Sequence, residues 1–236
     1  MKKAILLSSF LAIGATFADV TVPATQVGVM GVSMPKQAQL VAVPFLGYDV
    51  DAATISDLLN TAELGLGTKL YAPTGENQYN IWQLKTGEGG SRVWEKLEKE
   101  IVIDATGEAK DAETPGADVS TLSRGGAFWL EPVGTETDER FYILGRPTDE
   151  AGSSTLVSSK WNLVGNTSGE AKAVPNGVKG EVICVPDGNG KLLRYEYNTV
   201  AKGWVLEGQR VTTAVSIPVG QGFWYLSKGT ESISWQ

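Results

Sequence analysis

Two halves of this chain carry the same punctuation in the same order, and that repetition constrains the fold more than any other feature. The first half begins Gln39-Leu40-Val41-Ala42-Val43-Pro44-Phe45 and the second Trp161-Asn162-Leu163-Val164-Gly165-Asn166. An apolar run into a turn follows, Thr68-Lys69-Leu70-Tyr71-Ala72-Pro73-Thr74-Gly75 against Glu181-Val182-Ile183-Cys184-Val185-Pro186-Asp187-Gly188. Next comes a polar-aromatic run, Gln78-Tyr79-Asn80-Ile81-Trp82-Gln83-Leu84 against Leu192-Leu193-Arg194-Tyr195-Glu196-Tyr197, and after another turn a single tryptophan, Trp94 or Trp204. Each copy closes on glycines leading to Phe-Trp, at Phe128-Trp129 and Phe223-Trp224. Leu40 and Trp129 lie 89 positions apart and Leu163 and Trp224 only 61, so the first copy carries 28 more residues, placed near 46–66 and in an acidic stretch near 104–120.

Alternating apolar and polar residues bounded by Gly, Asn, Asp and Pro identify most of these blocks as strands. Pro186-Asp187-Gly188-Asn189-Gly190 is a hairpin signal, because Asp, Asn and Gly tolerate the positive φ of tight turns. Strands this short and closely spaced form a sandwich or barrel. One helix is expected, over 51–64, where Ile55, Leu58, Leu59 and Ala62 recur at helical spacing between a capping Asp51 and a terminating Gly65. Val93, Trp94, Leu97 and Ile101 also suit a helix, but the repeat aligns them with an extended segment, and the extended reading is preferred.

The chain opens like a secretory signal peptide: Lys2 and Lys3, an apolar run over 4–14, and small residues Thr16 and Ala18 before a cleavage point after Ala18. That apolar run is too short to span a bilayer, which needs about 20 residues. The chain is therefore expected to be exported, to periplasm, cell surface or medium. The chain after residue 18 holds 18 basic and 27 acidic residues, a net charge of −9, which argues against nucleic acid or anionic lipid as a partner.

The absence of His and the presence of one Cys exclude His-based triads, Cys-clustered zinc and an internal disulfide. No catalytic residue and no metal ligand is assigned. The acids Asp104, Glu108, Asp111, Glu113 and Asp118 have the composition of a solvated loop, with calcium binding as the competing reading although the regular Asp spacing of a calcium loop is absent. Cys184, among branched apolar residues, reads as a small buried hydrophobe. Trp82, Tyr195 and Tyr197 alternate with polar neighbours on equivalent strands. They are the candidate binding residues, a solvent-facing ribbon for glycan or protein, with burial in a core as the competing reading. The Phe-Trp pairs are assigned to the core.

The openings at Leu40 and Trp161, the hairpin of Tyr195 and Tyr197, and the Gly220-Gln221-Gly222-Phe223-Trp224 closure resemble uncharacterised exported all-β repeat proteins of Verrucomicrobia, the Akkermansia kind of bacterium. The resemblance implies a Gram-negative-type envelope and brings no catalytic residues with it. The expected fold is all-β: two related antiparallel modules, sandwich or barrel-like, over 19–150 and 151–236, the first with one short inserted helix. They either fuse into one pseudo-symmetric body or stand apart. The leading function is a non-enzymatic secreted or cell-surface structural and interaction protein, pairing with itself or other envelope proteins by adding strands, with Val20 to Val32 as a donor. A carbohydrate-binding module is the alternative, and a carboxylate-dependent glycosidase the third reading.

Overall fold

The computed structural model describes residues 28–235 except 34–37, 46–51, 56–58, 61–63, 75–76, 104–108, 114–117, 134–139, 147–151, 188–190 and 230–231. The proposed signal peptide thus lies outside the described residues. In the first copy the strands are β1 (Gly28–Ser33), β2 (Gln39–Ala42), β3 (Ala52–Thr54), β4 (Leu59–Asn60), β5 (Lys69–Pro73), β6 (Gln78–Thr86), β7 (Arg92–Ile103), β8 (Ala109–Asp111), β9 (Thr121–Ser123), β10 (Ala127–Glu131) and β11 (Arg140–Gly145). The second copy runs β12 (Gly152–Thr155), β13 (Trp161–Gly165), β14 (Lys172–Ala173), β15 (Val182–Pro186), β16 (Leu192–Asn198), β17 (Gly203–Leu206), β18 (Thr212–Thr213), β19 (Ser216–Ile217), β20 (Gly222–Leu226) and β21 (Ser232–Trp235).

Each copy builds a six-stranded antiparallel sheet in the same order, β2-β10-β5-β6-β7-β8 in one and β13-β20-β15-β16-β17-β18 in the other. The short pairs repeat too: β3 with β9 matches β14 with β19, and β1 with β11 matches β12 with β21. Around the Phe-Trp strands the registers agree residue by residue, since Trp129 faces Leu40 and Tyr71 just as Trp224 faces Leu163 and Cys184. The fold is therefore all-β with two related modules, as the repeat implied. The turn before each Phe-Trp strand holds a glycine at positive φ, Gly125 at 88° and Gly220 at 74°, a conformation that a side chain would strain.

The segment expected to be a helix does not run as one. Ala52–Thr54 pairs with Thr121–Ser123 and Leu59–Asn60 pairs with β11. Ile55 alone among the described residues of that stretch is helical, and 56–58 lie outside them. The helical spacing of apolar residues was real but tertiary pairing overrode it: Ile55 is buried in the first core while its amide bonds to the Ser120 carbonyl at 3.1 Å. The contested stretch at Val93 is strand throughout, as β7. Gly28–Ser33, the described end of the proposed donor segment, is not a free strand, because all six residues pair with β11.

Three cores follow from the alternation of side chains along each strand. Val41, Leu70, Leu84, Trp94, Phe128 and Leu130 turn outward from the molecule's middle and pack under β9 and β11. Val164, Ile183, Tyr195, Trp204, Phe223 and Tyr225 do the same under β19 and β21. The opposite faces of both sheets meet in a third core, where Leu40, Tyr79, Ile81 and Trp129 of one copy join Val182, Cys184 and Trp224 of the other.

The joint between the copies is pseudo-twofold. Ala42 N donates to Gly220 O at 2.8 Å, and its counterpart Gly165 N donates to Gly125 O at 2.9 Å. Near this axis each position meets its own counterpart, and both cannot carry a Cβ. A Cβ on Gly222 would sit 2.5 Å from that of Ala127, and one on Gly165 would sit 2.6 Å from that of Ala42 and 2.4 Å from Gly126 O. The repeat accordingly places Ala in the first copy and Gly in the second at both sites.

Candidate binding groove

Beyond the joint, the inner face of the first sheet continues into an open groove over β5 to β8, with a volume of about 360 Å³. That lies at the low end of small-molecule sites, about 300–1,000 Å³. The register decides what lines it. Tyr71 stands beside Ile81 on β6, Tyr79 beside Ile101 on β7, and Ile101 beside Asp111 on β8. Between Asn80–Glu100 and Trp82–Lys96 the β7 strand spends two more residues than β6, a bulge that carries Leu97 and Lys99 to the groove. The second copy pairs β16 with β17 without any such shift.

Tyr71, Ile81, Leu97 and Ile101 make the floor. The Tyr71 hydroxyl donates to Glu131 Oε2, and Lys69 Nζ lies 3.4 Å from the same oxygen. On the far rim Lys99 Nζ pairs with Asp111 Oδ1 at 2.7 Å. Burial, and then the hydrogen bond and charge of Glu131, raise the Tyr71 pKa above its ordinary value, so the phenol stays protonated and its ring is held in place. In the second copy the positions of Lys69, Tyr71 and Glu131 are Val182, Cys184 and Leu226, all three in the shared core. Polar groups thus stand in the first copy where the second needs only apolar filling.

No family model, curated protein or solved structure matches this chain.

The structure turns the proposed aromatic ribbon inward. Tyr195 and Tyr197 are only 9% and 8% exposed and pack in the second core, while Arg194, Glu196 and Asn198 on the same strand face solvent. The period-2 pattern is present, but the covering strands put its aromatic side in the core. Trp82 is half-buried against the first core with Nε1 donating to Val119 O at 3.2 Å, so the three candidates do not form one surface. Phe128, Trp129, Phe223 and Trp224 are core residues. Cys184 is buried too, and burial pushes its pKa up to about 11, Arg194 and Glu207 acting in opposite directions upon it.

Of the loop acids, Asp104 and Glu108 lie outside the described residues, and Asp111 and Asp118 pair with Lys99 and Lys96. Among the described residues no group of three or more His, Cys, Asp or Glu is placed to hold a metal ion, and no helix is long and apolar enough to cross a membrane.

Sequence reasoning passed over Tyr71 and Glu131. The signal was available in the aligned blocks, where Lys69 and Tyr71 oppose Val182 and Cys184: a polar pair in one copy against an apolar pair in the other.

Proposed function

We propose that the protein is a non-enzymatic interaction protein of the cell exterior, which engages partners through open sheet surfaces. One observation supports this above the rest: the single thiol and the one fully buried carboxylate among the described residues are committed to holding the fold. The Glu181 carboxylate is fully buried and accepts from the Tyr225 hydroxyl at 2.6 Å, the Val178 amide at 2.7 Å and the Lys228 amide at 3.1 Å. It ties two loops to β15, and its counterpart Thr68 does the same more weakly, accepting from the Val133 amide at 3.3 Å and donating to Gly65 O at 2.7 Å. The Cys184 thiol is held protonated by burial. At the open groove Lys69 is paired with Glu131 and Lys99 with Asp111.

Export fits this reading, resting on the basic and apolar start of the chain. The test is the mass of the protein released from its own cells, by light scattering on a sizing column, with the same fractions assayed for glycoside hydrolysis. A mass above that of one chain and no turnover is expected. A single-chain mass with turnover that disappears in Glu131→Gln would overturn the reading in favour of a glycosidase.

A further inference from the structure

The shared core, which the floor of the groove over β5 to β8 borders, is asymmetric. Trp224 is closed off by two rings: Tyr79 meets it edge-on at 6.4 Å and Trp161 at 6.1 Å. The residues at those two places around Trp129 are Leu192 and Ala38. Tyr71, the cross-strand neighbour of Trp129, is half-buried, whereas its counterpart Cys184 is 2% exposed.

The rims carry two ion pairs. Lys69 pairs with Glu131 and Lys99 with Asp111, so those four charges are already met, and Lys110, which also lines the groove, adds one further ammonium. Each pair leaves capacity unused. Among the described residues, Glu131 Oε1 and Asp111 Oδ2 make no hydrogen bond, and each ammonium has three protons for a single carboxylate contact. Donors and acceptors therefore alternate around a ring whose hydroxyl is already tethered. Neutral hydroxyl-rich molecules that present both an apolar ring face and paired O–H groups match this arrangement.

We infer that the Tyr71 groove binds a neutral oligosaccharide, one sugar ring resting on Tyr71 and the Ile81–Leu97–Ile101 floor and its hydroxyls bridging the Lys69–Glu131 and Lys99–Asp111 rims. This rests on the reading of the protein as a binder and moves the carbohydrate site from Trp82, Tyr195 and Tyr197 to a surface that is open. Calorimetric titration of the purified chain with neutral gluco-, galacto-, manno- and N-acetylhexosaminyl tetrasaccharides tests it, with poly-glutamate and a uronate tetrasaccharide alongside. Saturable binding of at least one neutral probe is expected, weakened about tenfold or more in Tyr71→Ala and only about twofold in Tyr71→Phe, which keeps the ring. Lys99→Met, at a side chain 62% exposed, should weaken it about fivefold without disturbing the fold, while Glu196→Gln on the other copy's open strand should leave it unchanged. The inference is overturned if no neutral probe binds, if binding survives Tyr71→Ala and Lys99→Met, or if only the acidic probes bind. An assembly seen by light scattering alongside any of those results would leave the interaction reading standing and remove this one alone.

Discussion

Trp129 and Trp224 stand at the same point of the same strand in two copies of one sheet, yet their surroundings have parted. Around Trp224 the fold has placed Tyr79 and Trp161, and the indole is 1% exposed; around Trp129 it has placed Leu192 and Ala38, and the exposure is 9%. The difference teaches how a duplicated module is put to use. A back-to-back joint needs one well-filled centre, and once the second copy supplies it, the matching place in the first is released to hold polar groups. The same division recurs at the loop anchors, where the buried carboxylate of Glu181 stands against the hydroxyl of Thr68.

The largest effect should come from breaking that centre. Trp224→Ala is expected to cost about 4 kcal/mol and Trp129→Ala about 2–3 kcal/mol, because fewer neighbours are left facing a void around Trp129. Chemical denaturation of the two variants checks this, and equal losses would contradict the division of roles. The loop anchors sharpen the contrast next. Glu181→Ala leaves the Tyr225 hydroxyl and two amides without their acceptor and should cost about 3 kcal/mol, against about 1 kcal/mol for Thr68→Ala.

Much of the architecture could be read from the repeat, since five blocks recurring in sequence point to two related antiparallel modules, and the Phe-Trp pairs were assignable to the core. What escaped was set by long-range pairing. Nothing local to Ala52–Thr54 announces Thr121–Ser123 as its partner, so a helical spacing of apolar residues was the stronger local signal. For Tyr195 and Tyr197 alternation showed that one face differs from the other but not which was covered; the packing of β19 and β21 decides that. The groove was harder still, because the register shift between β6 and β7 that brings Leu97 and Lys99 to it has no local sequence signal.

A smaller difference separates Tyr71 from its counterpart Cys184 at high pH. Folding raises the thiol pKa from 9.0 to about 11, so its contribution is complete below pH 9 and is lost as pH climbs from there to about 11. Stability should fall by about 2 kcal/mol over that window through this group, and Cys184→Ala should lack that part of the fall, as followed by urea midpoints at successive pH values.

The central claim is that the two copies form one body about a pseudo-twofold joint where Ala127 meets Gly222. The most direct measurement is a double-mutant cycle there, read by chemical denaturation. Gly222→Ala alone should cost about 1–2 kcal/mol, since its Cβ would fall 2.5 Å from that of Ala127. Adding Ala127→Gly, which exchanges the two residues across the axis, should return most of that loss. Simple additivity of the two substitutions, with the double variant less stable than either single one, would contradict the joint.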